Sequence, residues 1–120
     1  MGERILLIEP YCEVANIICM YLEELGHDFD LVTDAAAGRE HLTKGSYTCA
    51  LINVDQNSDE WRYRGLRLAE AAAKNHMPVV MIADHDLDAA TATSNGWIKI
   101  RKPFTLQKLE SAIAKAVSSA

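Results

Sequence analysis

The sequence predicts a doubly wound α/β domain, with five strands alternating with five helices about one parallel sheet. Two observations carry this. Short apolar runs alternate along the chain with segments of helical period, and the joints between them are short. The runs are apolar at consecutive positions, as strands covered on both faces require, and such strands are characteristically parallel. Right-handed crossovers leave few topologies, and the most populated one for this element count has strand order 2-1-3-4-5.

Each element has its own signature. Arg4-Ile5-Leu6-Leu7-Ile8 is a first strand, bounded by charge and by Pro10. Val14, Ile17, Ile18, Tyr21, Leu22 and Leu25 form one face of a helix, with Gly26 where a C-terminal cap belongs. From Asp28 to Thr33, Phe29, Leu31 and Thr33 alternate with Asp28, Asp30 and Val32, which suits a half-buried strand near an edge. Asp34 can cap a helix running through Ala35-Ala36-Ala37 to Leu42 and closing near Gly45. Cys49 to Val54 is the third strand. Residues 55–64 lack an apolar period and read as a loop, before a third, Ala-rich helix from Leu66 to about Asn75. Pro78 to Ile82 is the fourth strand, with proline at its tolerated first position. Residues 84–95 read as a short, weak helix and Trp97 to Ile100 as the fifth strand. Thr105 opens a last helix with Leu106, Leu109, Ile113 and Val117 on one stripe.

At 120 residues the chain is expected to form a single domain over 1–120, long enough to bury one proper core. An apolar content of 49% excludes a disordered chain. A net charge of −5 and a pI near 5.3 argue against direct binding of nucleic acid. No apolar run approaches the ~20 residues of a membrane span. Four apolar residues after Arg4 are too few for a signal-peptide core, and Leu6 stands where a myristoylation signal needs Ser or Thr. Cys12, Cys19 and Cys49 show no CxxC or zinc spacing, so they read as reduced, mostly buried thiols of a cytoplasmic protein.

In a sheet of this order the functional crevice lies beyond the carboxyl ends of strands 1 and 3. The residues there are Glu9, Pro10, Asn53, Val54, Asp55, Ala83, Asp84 and Arg101-Lys102-Pro103. A flavin phosphate needs a Ser/Thr/Gly loop after the first strand, and Glu9-Pro10-Tyr11-Cys12-Glu13 has no glycine and two carboxylates. Cys12 sits at a helix start, where a thiol pKa falls. A thiol phosphatase would also want an arginine six residues on, where this chain has Ile18. Asp84, Asp86 and Asp88 imitate a calcium loop, but Ala89 and Asn95 stand where such a loop needs Gly and Glu. The four histidines are scattered and suggest no metal site.

The chain resembles a response-regulator receiver domain, the flavodoxin-like phospho-acceptor module of two-component signalling. The resemblance covers nearly the whole length. Its most specific pieces are Arg4 to Pro10, Tyr47 to Val54, Met77 to Ile82, and Arg101-Lys102-Pro103-Phe104. It implies a pocket in which acidic residues hold Mg²⁺, an Asp takes the phosphoryl group, a hydroxyl follows it, and a Lys neutralises it. Only part of that set is present. Glu9 keeps the first acidic position and Lys102 the lysine. Pro10 replaces a metal ligand, Asn53 the phospho-acceptor, Ala83 the switch hydroxyl, and Lys99 the switch aromatic.

An ordinary pocket of this kind carries about −2, which a hard dication neutralises. Here Glu9 and Lys102 sum to zero, so Mg²⁺ binding is expected to be weak or absent, with no other metal or cofactor. An amide at Asn53 cannot form an acyl phosphate. The resemblance therefore implies a stand-alone pseudo-receiver, not an enzyme, acting through protein–protein contact. Its partner would be a histidine kinase, another regulator or its own copy. Asp55, two residues past Asn53, is an alternative acceptor, and thiol chemistry at Cys12 a remote one. Gly65 follows Asn53 at a longer interval than the family's glycine, so the loop carrying Trp61, Arg62, Tyr63 and Arg64 is lengthened. Those residue types recur at binding hot spots. Trp97 and Lys99 flank a shortened helix-4 side and are further candidate contacts.

Overall fold

The computed structural model describes residues 2–54, 59–83 and 96–118. In chain order the elements are β1 (Arg4–Ile8), α1 (Cys12–Glu24), β2 (Asp28–Val32), α2 (Ala35–Lys44), β3 (Cys49–Asn53), α3 (Asp59–Lys74), β4 (Val79–Ala83), β5 (Ile98–Arg101) and α4 (Leu106–Ser118). The five strands are parallel and lie in the order β2-β1-β3-β4-β5, as the sequence predicts. The helix expected over 84–95 lies outside the described residues.

The consecutive apolar runs have the expected cause. Along β1, Leu6 and Ile8 face one core, with Ala50, Ile52, Met81 and residues of α2 and α3. Ile5 and Leu7 face the other, with Leu51, Val80, Ile82 and residues of α1 and α4. Each fully buried aliphatic side chain contributes roughly 1.5–3 kcal/mol. The result is three layers, with the strand ends held at fixed heights by both faces.

Local chemistry sets the ends. Gly26, at φ 79°, closes α1: its amide donates to the Glu23 carbonyl and the His27 amide to that of Leu22, each at 3.0 Å. Asp34 caps α2 by accepting from the Ala37 amide at 2.7 Å. The Thr105 hydroxyl accepts from the Lys108 amide at 3.1 Å at the start of α4.

Three expectations are corrected. Helix α3 begins at Asp59, not near Leu66, so Trp61 to Arg64 lie on its first turns and not in a loop. Trp61, Leu68, Ala69 and Ala72 do have a helical period, but Gly65 interrupts it with a position lacking a side chain. In β2 the buried residue is Val32 and Leu31 is exposed, because Val32 meets the α2–α3 side of the core at the sheet edge. On α1 the buried line is Ala15, Ile18 and Leu22, and Ile17 is 52% exposed, one residue outside that face.

Candidate functional site

Glu9, Asn53, Ala83 and Lys102 converge at the carboxyl end of the sheet. Glu9 directly follows β1 and is anchored by its amide, which donates to the Val32 carbonyl at 3.0 Å. Asn53 ends β3 and Ala83 ends β4, and the Ala83 carbonyl accepts from the Lys102 amide at 2.8 Å. Both polar side chains on the floor, Glu9 and Asn53, are 0% exposed. Four of the five pocket residues singled out from the sequence thus lie together, and the fifth, Pro10, is half-buried at the rim.

Their hydrogen bonds form one connected set. Asn53 Nδ2 donates to Glu9 Oε2 at 2.6 Å, and the Tyr11 amide donates to the same oxygen at 3.1 Å. Lys102 Nζ lies 3.8 Å from Glu9 Oε1 and 5.9 Å from the centroid of the Tyr11 ring. A carboxylate can only accept, so Asn53 must present its amino group to Glu9. That geometry compensates the burial of Glu9, which would be costly without partners.

Three further residues, Trp61, Gly65 and Tyr11, shape the site, and sequence reasoning missed what each does. Trp61 Nε1 donates to the Asn53 carbonyl at 2.8 Å, which fixes the first turn of α3 to the end of β3. Trp61 is only 9% exposed, so its ring turns inward and is not a surface contact. Gly65 permits this approach: a Cβ there would stand 2.5 Å from the Asn53 carbonyl oxygen. Helical spacing from Trp61 through Leu68 and Ala72 was the sequence signal available for α3. Tyr11 contributes chiefly through its backbone amide, which leaves no trace in a side-chain pattern.

The other candidates are dispersed. Tyr63 is exposed on α3, and Arg64 pairs with Glu60 at 2.6 Å on the same helix. Arg62 lies on α3 beside them. Trp97 is half-buried against the α2–α3 side of the core, and Lys99 is half-buried on β5 opposite Met81. Cys12 is the exposed first residue of α1. Asp55 and Asp84 lie outside the described residues. Beside the site a cleft of about 350 Å³ opens between Pro10, Tyr11, Asp34, Glu60, Trp61 and Arg64. Among the described residues, no group of three or more His, Cys, Asp or Glu side chains could hold a metal ion.

Residues 4–118 match the family model described as flagellar regulatory protein FleQ. Similar solved structures include a CheY-like response regulator receiver domain protein from Methanospirillum hungatei JF-1, at 19% identity and TM-score 0.82, with 99% of this chain and 96% of that chain covered. The receiver domain of the sensor histidine kinase PA1611 from Pseudomonas aeruginosa PAO1, which has a magnesium ion coordinated in its active-site cleft, matches at 21% identity and TM-score 0.79, covering 98% and 99% of the two chains. NtrX from Brucella abortus in complex with ATP matches at 24% identity and TM-score 0.83; 99% of this chain aligns to 28% of that one. At these identities the structural likeness is one of fold. No curated protein matches the sequence significantly. Among the described residues no helix is long and apolar enough to cross a membrane.

Proposed function

The chain belongs to the FleQ family and is a receiver domain of the two-component signalling type, and from that premise we propose that it is a pseudo-receiver. It acts in the cytoplasm by protein–protein contact and takes no phosphoryl group at position 53. The observation that carries this reading is the bond from Asn53 Nδ2 to Glu9 Oε2, 2.6 Å long between two fully buried side chains. Where a working receiver presents an acidic nucleophile to a metal, this pocket turns an amide donor to Glu9 Oε2 and sets an ammonium 3.8 Å from Glu9 Oε1.

The residues present fit Mg²⁺ poorly. Pro10 offers no oxygen ligand from its side chain, Asn53 turns its amino group to Glu9, and Lys102 stands 3.8 Å from the remaining carboxylate oxygen. A hard dication prefers carboxylates and water, and among the described residues one carboxylate beside an ammonium gives it little drive. The partner would be a histidine kinase, another regulator or a second copy, and the family's name points to the control of flagella as the setting.

The test is incubation of the protein with acetyl phosphate and Mg²⁺, followed by intact-mass measurement. The expected result is an unchanged mass. A stable gain of about 80 Da, the mass of a phosphoryl group, overturns the reading. Loss of that gain in Asp55→Ala would transfer the acceptor role to Asp55.

A further inference from the structure

At the amino end of the sheet, one side chain fastens the leading end of β1 to the turn between α1 and β2. The Glu3 amide donates to His27 Nδ1 at 2.8 Å, and the Glu3 carbonyl accepts from the Asp28 amide at 2.9 Å. Gly2, just ahead, packs on the backbone of the same turn, where a Cβ would collide with the Gly26 carbonyl. His27 is itself fixed at the end of α1, its amide donating to the Leu22 carbonyl at 3.0 Å. Of these contacts, only the one through Nδ1 depends on a proton. A backbone amide can only donate, so Nδ1 is unprotonated and the ring hydrogen sits on Nε2.

The charges around the ring pull the other way. Glu23 and Glu24 lie in the last turn of α1, Asp28 opens β2, and Glu3 is the bonded residue itself. The carbonyls at the end of α1 add partial negative charge. The neighbouring cation, Arg4, is turned to Asp30 at 2.8 Å. On the β3 side the Glu3 charge meets the Cys49 thiol, which burial pushes up to about 12 and which therefore keeps its proton. This field favours an imidazolium, whereas the bond to Glu3 requires a neutral ring. Protonation exchanges one for the other: the ring then faces the Glu3 N–H with an N–H of its own, and turns toward the carboxylates.

We propose that His27 is a proton-operated latch: protonation of Nδ1 releases Glu3, and with it the segment ahead of β1, from the α1–β2 turn. The opening is local. The next amide, that of Arg4, is held on the other side by the Thr48 hydroxyl at 3.2 Å, and the Arg4 carbonyl by the Thr48 amide at 2.8 Å. Neither of those bonds titrates, so the release stops at Glu3 and the strand itself stays in the sheet. Because the carboxylates regain part of what the bond loses, the device changes conformation at small cost in global stability. It lies at the opposite end of the sheet from the Glu9–Asn53 pocket and does not depend on the reading of that pocket.

Amide hydrogen exchange followed residue by residue by NMR, between about pH 8 and about pH 5, tests this. Rates are expressed as protection factors, which removes the intrinsic dependence of exchange on pH. The Glu3 amide is expected to lose protection roughly tenfold as pH falls, with the midpoint at which the His27 ring signals shift, while the Arg4 amide keeps its own. His27→Asn places an acceptor oxygen that does not titrate where Nδ1 stands, and should hold the Glu3 amide across the whole range. His27→Phe removes the acceptor and should leave that amide unprotected throughout, with an unchanged circular dichroism spectrum. Equal protection of the Glu3 amide at both ends of the range overturns the proposal, as does a midpoint that differs from that of the ring. So does a pH-dependent loss that persists in His27→Asn, since the release then belongs to the carboxylates. The phosphorylation assay is independent: a phosphoryl adduct sinks only the pseudo-receiver reading, and a Glu3 amide indifferent to pH only this one.

Discussion

Exchanging a carboxylate oxygen for an amino group at position 53 reverses the direction in which a hydrogen bond can run. Asn53 donates to Glu9 at 2.6 Å, and an aspartate in its place would face that carboxylate with a second one. Asn53→Asp is therefore expected to destabilise the fold by about 2–4 kcal/mol near neutral pH, with Lys102 compensating one charge and not both. Two carboxylates sharing a buried site keep a proton at higher pH than either does alone. The cost should shrink as pH falls toward 5, while the wild-type comparison absorbs the rest of the acid response. Urea unfolding of both proteins near pH 7 and pH 5 reads the difference; a penalty equal at the two pH values means that the residues do not share one site. Glu9, Asn53, Ala83 and Lys102 were legible in the sequence because apolar runs fix where strands end. Tyr11 was not, since its amide and not its side chain bonds Glu9.

Helix α3 shows how one position can hide an element. Read for apolar period, residues 55–64 are a loop, yet the helix starts at Asp59 and carries Trp61 into the core. Glycine at position 65 removes the side chain that would have joined Trp61 to Leu68 in the pattern. The same absence lets α3 approach β3, because a Cβ at Gly65 would meet the Asn53 carbonyl at 2.5 Å and Val54 Cγ1 at 3.1 Å. Gly65→Ala thus sets two effects against each other. Helix propensity favours alanine by roughly 1 kcal/mol, whereas forcing a methyl group against backbone costs about 1–3 kcal/mol. The expected outcome is net destabilisation in urea, with a changed Trp61 emission as its bond to the Asn53 carbonyl is disturbed. A stabilised variant with unchanged emission contradicts the close approach. Strands β1, β3 and β4 were fully legible by contrast, because both of their faces are buried and nothing breaks the run. The edge strand β2 is covered unevenly, and its phase could not be read from alternation alone.

At the scale of the whole molecule, two groups at the amino end of the sheet are expected to lower stability at high pH. Tyr47, which leads into β3, donates from its hydroxyl to Asp30 Oδ2 on β2 at 2.6 Å, and Arg4 on β1 holds the same oxygen at 2.8 Å. Burial, then the bond to Asp30, pushes the Tyr47 hydroxyl up to about 12 from its ordinary 10. Two residues on, burial pushes the Cys49 thiol up to about 12 from 9. In both cases the folded state holds its proton at a pH where the unfolded chain has lost it. Where the unfolded state binds fewer protons, stability falls as pH rises. The contribution of these groups is fully present below pH 9, declines first through Cys49 and then above pH 10 through Tyr47, and is gone past about 12. Urea midpoints measured from about pH 8 to about pH 11 should therefore fall, with most of the change above 9. Cys49→Ala should flatten the lower part of the decline and Tyr47→Phe the upper part, each at some cost in stability at neutral pH. The exposed Lys44 also has a raised pKa, from its bond and charge contact with Glu40, and adds a decline of the same sign that both variants retain. If wild type and the double variant lose stability in parallel across this range, the alkaline limit lies in groups that both retain, Cys19, whose thiol burial also pushes up, and surface charge. If only the wild type declines steeply, it lies in the two groups that tie β3 to its neighbours.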